Sequence, residues 1–410
     1  MGKNKKYSGY RAFQYLHPGV DYQKFKLTKE INRVEPYVIP LSKTEEERAE
    51  EIIEKNILIS LHDHPVLFPE DMNQTFEYMR AGREFTAYEG LSISGLDAVF
   101  DNMMNGSGII TSKMGWKWTD IIHDLGMRLS DIAHQDFVIH CKKVDDIIEA
   151  YQTGKVAIVF SIESLKPIEN EVDRVDVLYG LGIRCMGITY GESNMLGSGG
   201  DELRDGGLTD LGYDVVKRMN KIGAIIDVSH TGDQTALDTI DASGKPIVMS
   251  HAGARALSNT KRLFPDEVLQ ALAEKGGVIG VAACPNITPT EKHPKHSIEA
   301  VMEHVEYCVN LMGIDHVGLG PDTLFGDHVG LYRVWDKRNA TVGLGHYERE
   351  KRPLPPHLDL KRMVKYVKGL ENPSEFPNIV RWLVKHGYSL SKIEKIVGGN
   401  ALRLLKAVWC

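Results

Sequence analysis

Short runs of β-branched and apolar residues alternate along this chain with longer amphipathic segments, the pattern of repeated strand–helix units on a parallel sheet. Eight runs fit strands: 57–61, 108–112, 156–162, 183–189, 224–228, 246–250, 277–283 and 316–320. Between the fourth and fifth, Thr209 stands where an N-cap belongs, Leu211, Val215, Met219 and Ile222 share one face, and Gly223 stops the run, which predicts a helix. A helix is also predicted over 42–56, where Thr44 and Glu47 have capping-box spacing and Ile52 and Ile53 supply the apolar side. Near the end, Ser391 and Glu394 repeat that spacing, Gly398 and Gly399 break the run, and Asn400 is placed to cap a final helix through Leu404 and Leu405.

Eight parallel strands with covering helices predict a closed α/β fold, the (β/α)8 TIM barrel. An open doubly wound sheet would carry a Gly-rich phosphate loop after an early strand, and no such G-x-G-x-x-G or Walker sequence occurs. The expected organisation is a polar, irregular N-terminal extension over 1–41 and one barrel domain over 42–410. Within it, a loop insertion around 325–356 ends in Pro353, Pro355 and Pro356, and helices over 374–408 close the chain.

Composition narrows the class. With 410 residues, 42% hydrophobic and 26% charged, the chain is an ordinary globular one with material for a large core. A net charge of −7 without basic runs gives no electrostatic footprint for nucleic acid. No stretch approaches the roughly 18 apolar residues that cross a bilayer, so no membrane partner is expected. The basic start at Lys3, Lys5 and Lys6 is not followed by an apolar segment, and a cytoplasmic location is expected. Five cysteines, an odd number without C-x-x-C spacing, read as reduced thiols rather than a disulfide framework.

In a β/α barrel, functional side chains project from the C-terminal strand ends, and here those ends are rich in metal-ligand types. The first strand runs into His62-Asp63-His64, the third into Glu163, the fifth is followed by His230, the sixth by His251, and the eighth by Asp322. Residues two apart on a strand point the same way, so His62 and His64 reach the barrel mouth together while Asp63 faces away. That pair suits one metal. His230 and His251 suit a second, with Glu163 offering one oxygen to each and Asp322 acting as a further ligand or as a proton shuttle. Two bridged ions activate a water and polarise a carbonyl. A lone histidine among 16 is usually a surface or core residue, and it is the coincidence of these residues at five strand ends that points to a metal site. His123, His134, His140, His293, His296 and His316 read as structural. Phe68, Trp116, Trp118, Tyr332 and Trp335 are expected in the pocket walls.

With these residues in view, the sequence resembles the membrane dipeptidase (renal dipeptidase) family of binuclear zinc peptidases within the amidohydrolase superfamily. The resemblance rests on 207–209 with 225–230, on Ser250-His251-Ala252, and on Arg262 eleven residues on. Further matches are 160–163, 181–184, 318–322 and 398–400, and together they run with interruptions from about Ile53 to Val408. It implies two zinc ions: one bound by His62 and Glu163, with Glu163 bridging to a second held by His230 and His251. It also implies that Arg262 holds a substrate carboxylate, for which a guanidinium fork is well shaped, and that Asp322 moves the proton from water to leaving amine. A homodimer is what the family suggests.

Two positions depart from the family's pattern. His64 stands where the family has an acid in His-x-Asp, which removes one negative charge and favours anionic substrates. Tyr190, in Thr189-Tyr190-Gly191, stands where the family commonly has a histidine touching the scissile group; its hydroxyl still donates a hydrogen bond. The expected function is hydrolysis of a dipeptide or related amide carrying a carboxylate. A second enzymatic reading keeps the metals but acts on a non-peptide amide, ester or lactone, or decarboxylates a small acid. A barrel retained for binding without catalysis is disfavoured by the complete ligand set.

Overall fold

The computed structural model of the protein describes residues 5–103, 117–284, 287–331, 334 and 366–409. Its centre is a ring of eight parallel strands: β1 (Ile59–Asp63), β2 (Ala98–Asn102), β3 (Val156–Ile162), β4 (Cys185–Gly187), β5 (Ile225–Asp227), β6 (Val248–Ala252), β7 (Val278–Val281) and β8 (Val317–Leu319). Each pairs in parallel with the next in sequence. All eight are buried throughout their length, which is why their sequences are continuous apolar runs rather than alternating ones.

The ring closes just beyond β8. Asp322 N donates to the His62 carbonyl at 2.9 Å and His64 N donates to the Thr323 carbonyl at 2.8 Å. Asp63, which points away from the mouth as expected, reinforces this seam: its Oδ1 accepts from Thr323 N at 2.8 Å and from Thr323 Oγ1 at 2.7 Å. Beside this seam, Gly280 and Gly320 are places where a Cβ would collide with the Ser250 carbonyl, so only glycine lets β6, β7 and β8 approach there.

Seven of the eight strands lie where the hydrophobic pattern puts them; the second does not. The strand beside β1 is Ala98–Asn102, and the expected 108–112 lies outside the described residues. Only Ala98, Val99 and Phe100 are apolar in this strand, and Asp101 and Asn102 are both buried. Burying a carboxylate in a barrel wall requires a partner, and Arg128 supplies it. From the helix Trp118–Ile132 its guanidinium reaches Asp101 at 2.7 Å, Glu84 at 2.5 Å and Asp124 at 3.3 Å. A further short strand, Val138–His140, pairs with the first half of β3.

Helix boundaries follow local chemistry. The helix Asp210–Ile222 has the expected Thr209 cap, with Gly212 N donating to Thr209 Oγ1 at 3.1 Å, and ends at Gly223 with φ of 78°. The helix Lys43–Lys55 is capped by Ser42 and Glu45 rather than Thr44 and Glu47, one acidic turn offering two registers of the same motif. At the C-terminus Ser389, not Ser391, precedes the helix Leu390–Glu394. Asn400 is helical and caps nothing: its Nδ2 donates to the carbonyls of Ile314 at 2.7 Å and Val317 at 2.8 Å, pinning the helix Asn400–Val408 under β8.

Residues 5–40 lie against the barrel, with Tyr10, Phe13 and Ile39 in the main core. Asp131 anchors them by accepting from Tyr10 Oη at 2.7 Å and Phe13 N at 2.7 Å. Farther on, Thr28 N donates to the Phe68 carbonyl and Arg33 pairs with Asp327 and Glu371, which brings this segment to the segments that follow β1 and β8. Of the expected loop insertion, residues 332–333 and 335–356 lie outside the described residues.

Candidate metal centre

Five strand ends deliver their side chains to one point. His62 and His64, two apart on β1, turn their Nε2 atoms toward each other at 3.3 Å. Asp322 Oδ1 stands 3.4 Å from His62 Nε2 and 3.2 Å from His64 Nε2. Opposite them, His230 after β5 and His251 on β6 face each other through Nε2 at 2.9 Å. Glu163, at the end of β3, lies between the two groups. Its Oε1 is 3.9 Å and 3.8 Å from His62 and His64, and its Oε2 is 3.0 Å and 3.9 Å from His230 and His251. All six expected ligand-type residues therefore converge, in two groups with one carboxylate between them.

Whether such groups fit metal ions is a question of spacing. Four ligands at about 2.1 Å around a tetrahedral ion stand about 3.4 Å apart. The separations of 3.2 to 3.4 Å among His62, His64 and Asp322 match that value. Glu163, His230 and His251 form a second triad whose donor atoms lie within 4.8 Å of one another. The donors are imidazole nitrogens and carboxylate oxygens, without thiolate, which suits zinc and neighbouring divalent ions.

Buried charge shapes the electrostatics. Burial disfavours charge on His64, but the hydrogen bond and charge of Asp322, with Glu163 nearby, outweigh it and push His64 up to about 9. Asp322 is held well below the usual carboxylate range because those histidine contacts overcome its burial. Burial takes His62 down to about 4, His251 well below its ordinary value, and Glu163 up to about 8. Asp322 also adopts φ of 59°, a left-handed backbone that aspartate tolerates better than most residues and that aims its carboxylate into the mouth.

Two expected substrate-binding residues frame the second group. Arg262 is buried, its Nη1 donating to the Ser229 carbonyl at 2.8 Å and its Nη2 to the His251 carbonyl at 3.0 Å, with Nη2 3.3 Å from His230 Nε2. The Tyr190 ring stacks on His230 at 4.1 Å between centroids, and burial raises its phenol well above the ordinary value, so it stays protonated. Trp118 opens the helix Trp118–Ile132, and Phe68 is buried with Tyr78 and Leu324 in the loops beyond β1 and β8. Trp116, Tyr332 and Trp335 lie outside the described residues.

Sequence reading missed the layer behind the ligands. Asp227, the last residue of β5, accepts from Ser229 Oγ at 2.6 Å and Ser250 Oγ at 2.5 Å. Ser250 Oγ in turn stands 2.9 Å from His251 Nδ1 and 3.2 Å from His62 Nδ1. Asn102, from the misplaced second strand, touches both β1 histidines. His328, beyond β8, is buried and feels the charges of Asp322 and His64, yet nothing in its sequence surroundings marks it. The Asp227–Ser250 link was legible in principle, since both residues sit at strand ends beside ligands.

A parallel eight-stranded barrel with imidazoles and carboxylates gathered at its C-terminal mouth is an α/β barrel with a candidate metal centre. More narrowly, the chain belongs to the membrane dipeptidase family, peptidase family M19, whose model matches residues 46–332 and 361–409. Among curated relatives, dipeptidase tcpJ of Claviceps purpurea is 29% identical over 287 residues, 70% of this chain and 58% of the relative. Dipeptidase aclJ of Aspergillus oryzae is 27% identical over 296 residues, 70% and 61% of the two chains. The chain thus spans about three fifths of the length of these relatives. An amidohydrolase from Pseudomonas aeruginosa shares the structure at TM-score 0.67 and 25% identity, over 88% of this chain and 99% of that one. A metallopeptidase from Rhodobacter sphaeroides, liganded with a phosphinate mimic of the dipeptide L-Ala-D-Ala, shares the fold at TM-score 0.63 and 16% identity, over 87% and 100%.

Proposed function

We propose that this protein is a zinc-dependent dipeptidase, hydrolysing a dipeptide or closely related amide that carries a free carboxylate. The observation that carries the reading is the placement of Glu163, one oxygen facing His62 and His64 and the other facing His230 and His251. In this reading His62, His64 and Asp322 hold one ion, His230 and His251 hold the other, and Glu163 is shared. The ions supply Lewis-acid polarisation of the scissile carbonyl and acidification of the attacking water.

The remaining work falls to the chain's own side chains. Arg262 receives the substrate carboxylate through the guanidinium N–H groups left after its two backbone contacts, and those contacts fix the direction of the fork. Tyr190, held flat against His230, donates its hydroxyl proton to an oxygen of the substrate. Asp322 accepts the proton lost by water and delivers it to the departing amine, a step suited to a carboxylate that is ionised at rest. The reading includes a cytoplasmic location, supported by the buried thiols of Cys141, Cys185 and Cys308, none of them in a disulfide.

The test is a panel of dipeptides offered to the purified protein loaded with zinc. Turnover that disappears on chelation and returns with zinc is expected. No turnover of any dipeptide at micromolar enzyme, with zinc bound, would shift the assignment to a non-peptide substrate of the same centre.

A further inference from the structure

A histidine that coordinates through Nε2 carries its proton on Nδ1 and needs an acceptor there, and loss of that acceptor weakens the metal site. In the first donor group the Nδ1 atoms of both histidines face one residue. His64 Nδ1 donates to the backbone carbonyl of Asn102 at 2.7 Å. His62 Nδ1 lies 2.5 Å from the side-chain amide of the same Asn102, closer than its other neighbour, Ser250 Oγ at 3.2 Å. That serine hydroxyl gives its proton to Asp227 Oδ2, and its oxygen, still able to accept, lies nearer to His251 Nδ1, at 2.9 Å, than to His62.

The two faces of an asparagine amide have opposite consequences. With Nδ2 toward His62, the amide donates to Nδ1 and drives the ring proton onto Nε2, the atom that faces His64 and Asp322, which blocks coordination. It also leaves Asn102 Oδ1 buried without a partner. A half-turn of the amide places Oδ1 on Nδ1–H, fixes the proton there and frees Nε2; such a turn exchanges atoms of nearly equal size and needs no movement of the backbone. Ser161, the register partner of Asn102 on β3, carries a second buried hydroxyl without a partner.

The geometry points to Asn102 as the positioning residue of the first metal group, setting the tautomer of His62 through its side-chain oxygen and of His64 through its backbone carbonyl. The inference rests on the metal-dependent reading above. It also accounts for how a histidine is accommodated at 64: an imidazole there, unlike a carboxylate, has a second ring nitrogen to satisfy, and the β2 carbonyl does so.

Because only one of the two contacts is made by the side chain, substitution separates them. Asn102→Leu leaves the carbonyl on His64 and removes the acceptor on His62, whereas Asn102→Asp keeps an acceptor for both. Zinc binding is measured by competition with a chromogenic chelator, with circular dichroism confirming the fold. Asn102→Leu is expected to weaken one of two zinc sites by about 10- to 100-fold and leave the other unchanged. Asn102→Asp is expected to bind as the unmodified chain does. Nitrogen-15 histidine spectra of the zinc-loaded unmodified chain, with His62 identified by its loss in His62→Gln, should show Nδ1 protonated. Equal binding by Asn102→Leu and the unmodified chain, equal losses in both variants, or a His62 proton on Nε2 overturns the role of Asn102 alone. Absence of zinc binding by the unmodified chain overturns the metal reading and this inference with it.

Discussion

The two donor groups on either side of Glu163 are built differently. The group at the barrel seam, His62, His64 and Asp322, pairs a carboxylate with histidines at 3.2 and 3.4 Å and joins the first strand to the last. The group at β5 and β6 brings together His230 and His251 beside the shared Glu163, with Asp227 close to His251, and it carries the flanking Arg262 and Tyr190. In the seam group the histidine contacts hold Asp322 well below the usual carboxylate range, and Asp322 with Glu163 pushes His64 up, whereas burial pushes His251 well below its ordinary value. The seam thus concentrates charge, while the opposite side presents a guanidinium and a phenol.

Removing the residue common to both sides should have the largest effect. Glu163→Gln is expected to lower kcat/KM on the order of 10^4-fold and to reduce bound zinc, read by steady-state kinetics and metal analysis. An intermediate effect is expected from changing the seam alone. His64→Asp restores the acid of the family's His-x-Asp pattern and adds a negative charge, so KM for dipeptides with an acidic side chain should rise about tenfold relative to neutral dipeptides. An unchanged ratio would mean that the extra charge at the seam does not reach the substrate.

The smallest effect lies away from both groups and serves as a control on them. Glu375 accepts from Tyr37 N and Glu371 N, tying the N-terminal segment to the turn Pro373–Glu375, and burial raises its pKa from the model-peptide value of 4.5 to about 7. A carboxyl raised on folding favours the protonated native state, so its contribution is complete below pH 4.5 and is lost as pH climbs through 7. Thermal melts should therefore fall by a few degrees between pH 5 and 8, and Glu375→Gln should flatten that slope without altering zinc content. An equally steep slope in the variant would assign the pH dependence to other groups.

The ligands were legible in the sequence for a reason that also explains what was not. His62, His64, Glu163, His230, His251 and Asp322 each follow an apolar run, so finding the strands found the residues. Asn102 escaped because its strand is short and half polar, and a run read by apolarity passes over Asp101, whose charge is compensated by Arg128 from a distant helix. The caps at Ser42 and Ser389 were each displaced by two positions because neighbouring serine, threonine and glutamate residues offer equivalent spacings. Tyr10 and Phe13 are apolar anchors in a polar stretch, and their burial depends on Asp131, more than a hundred residues away.

The hydrogen bonds that close the barrel link residue 62 to residue 322, so one donor group is assembled from positions far apart in the sequence. During synthesis the four imidazoles emerge from the ribosome well before Asp322 does. A nascent chain cannot present the complete cradle until its eighth strand has been translated and docked, which places assembly of the cradle late in folding.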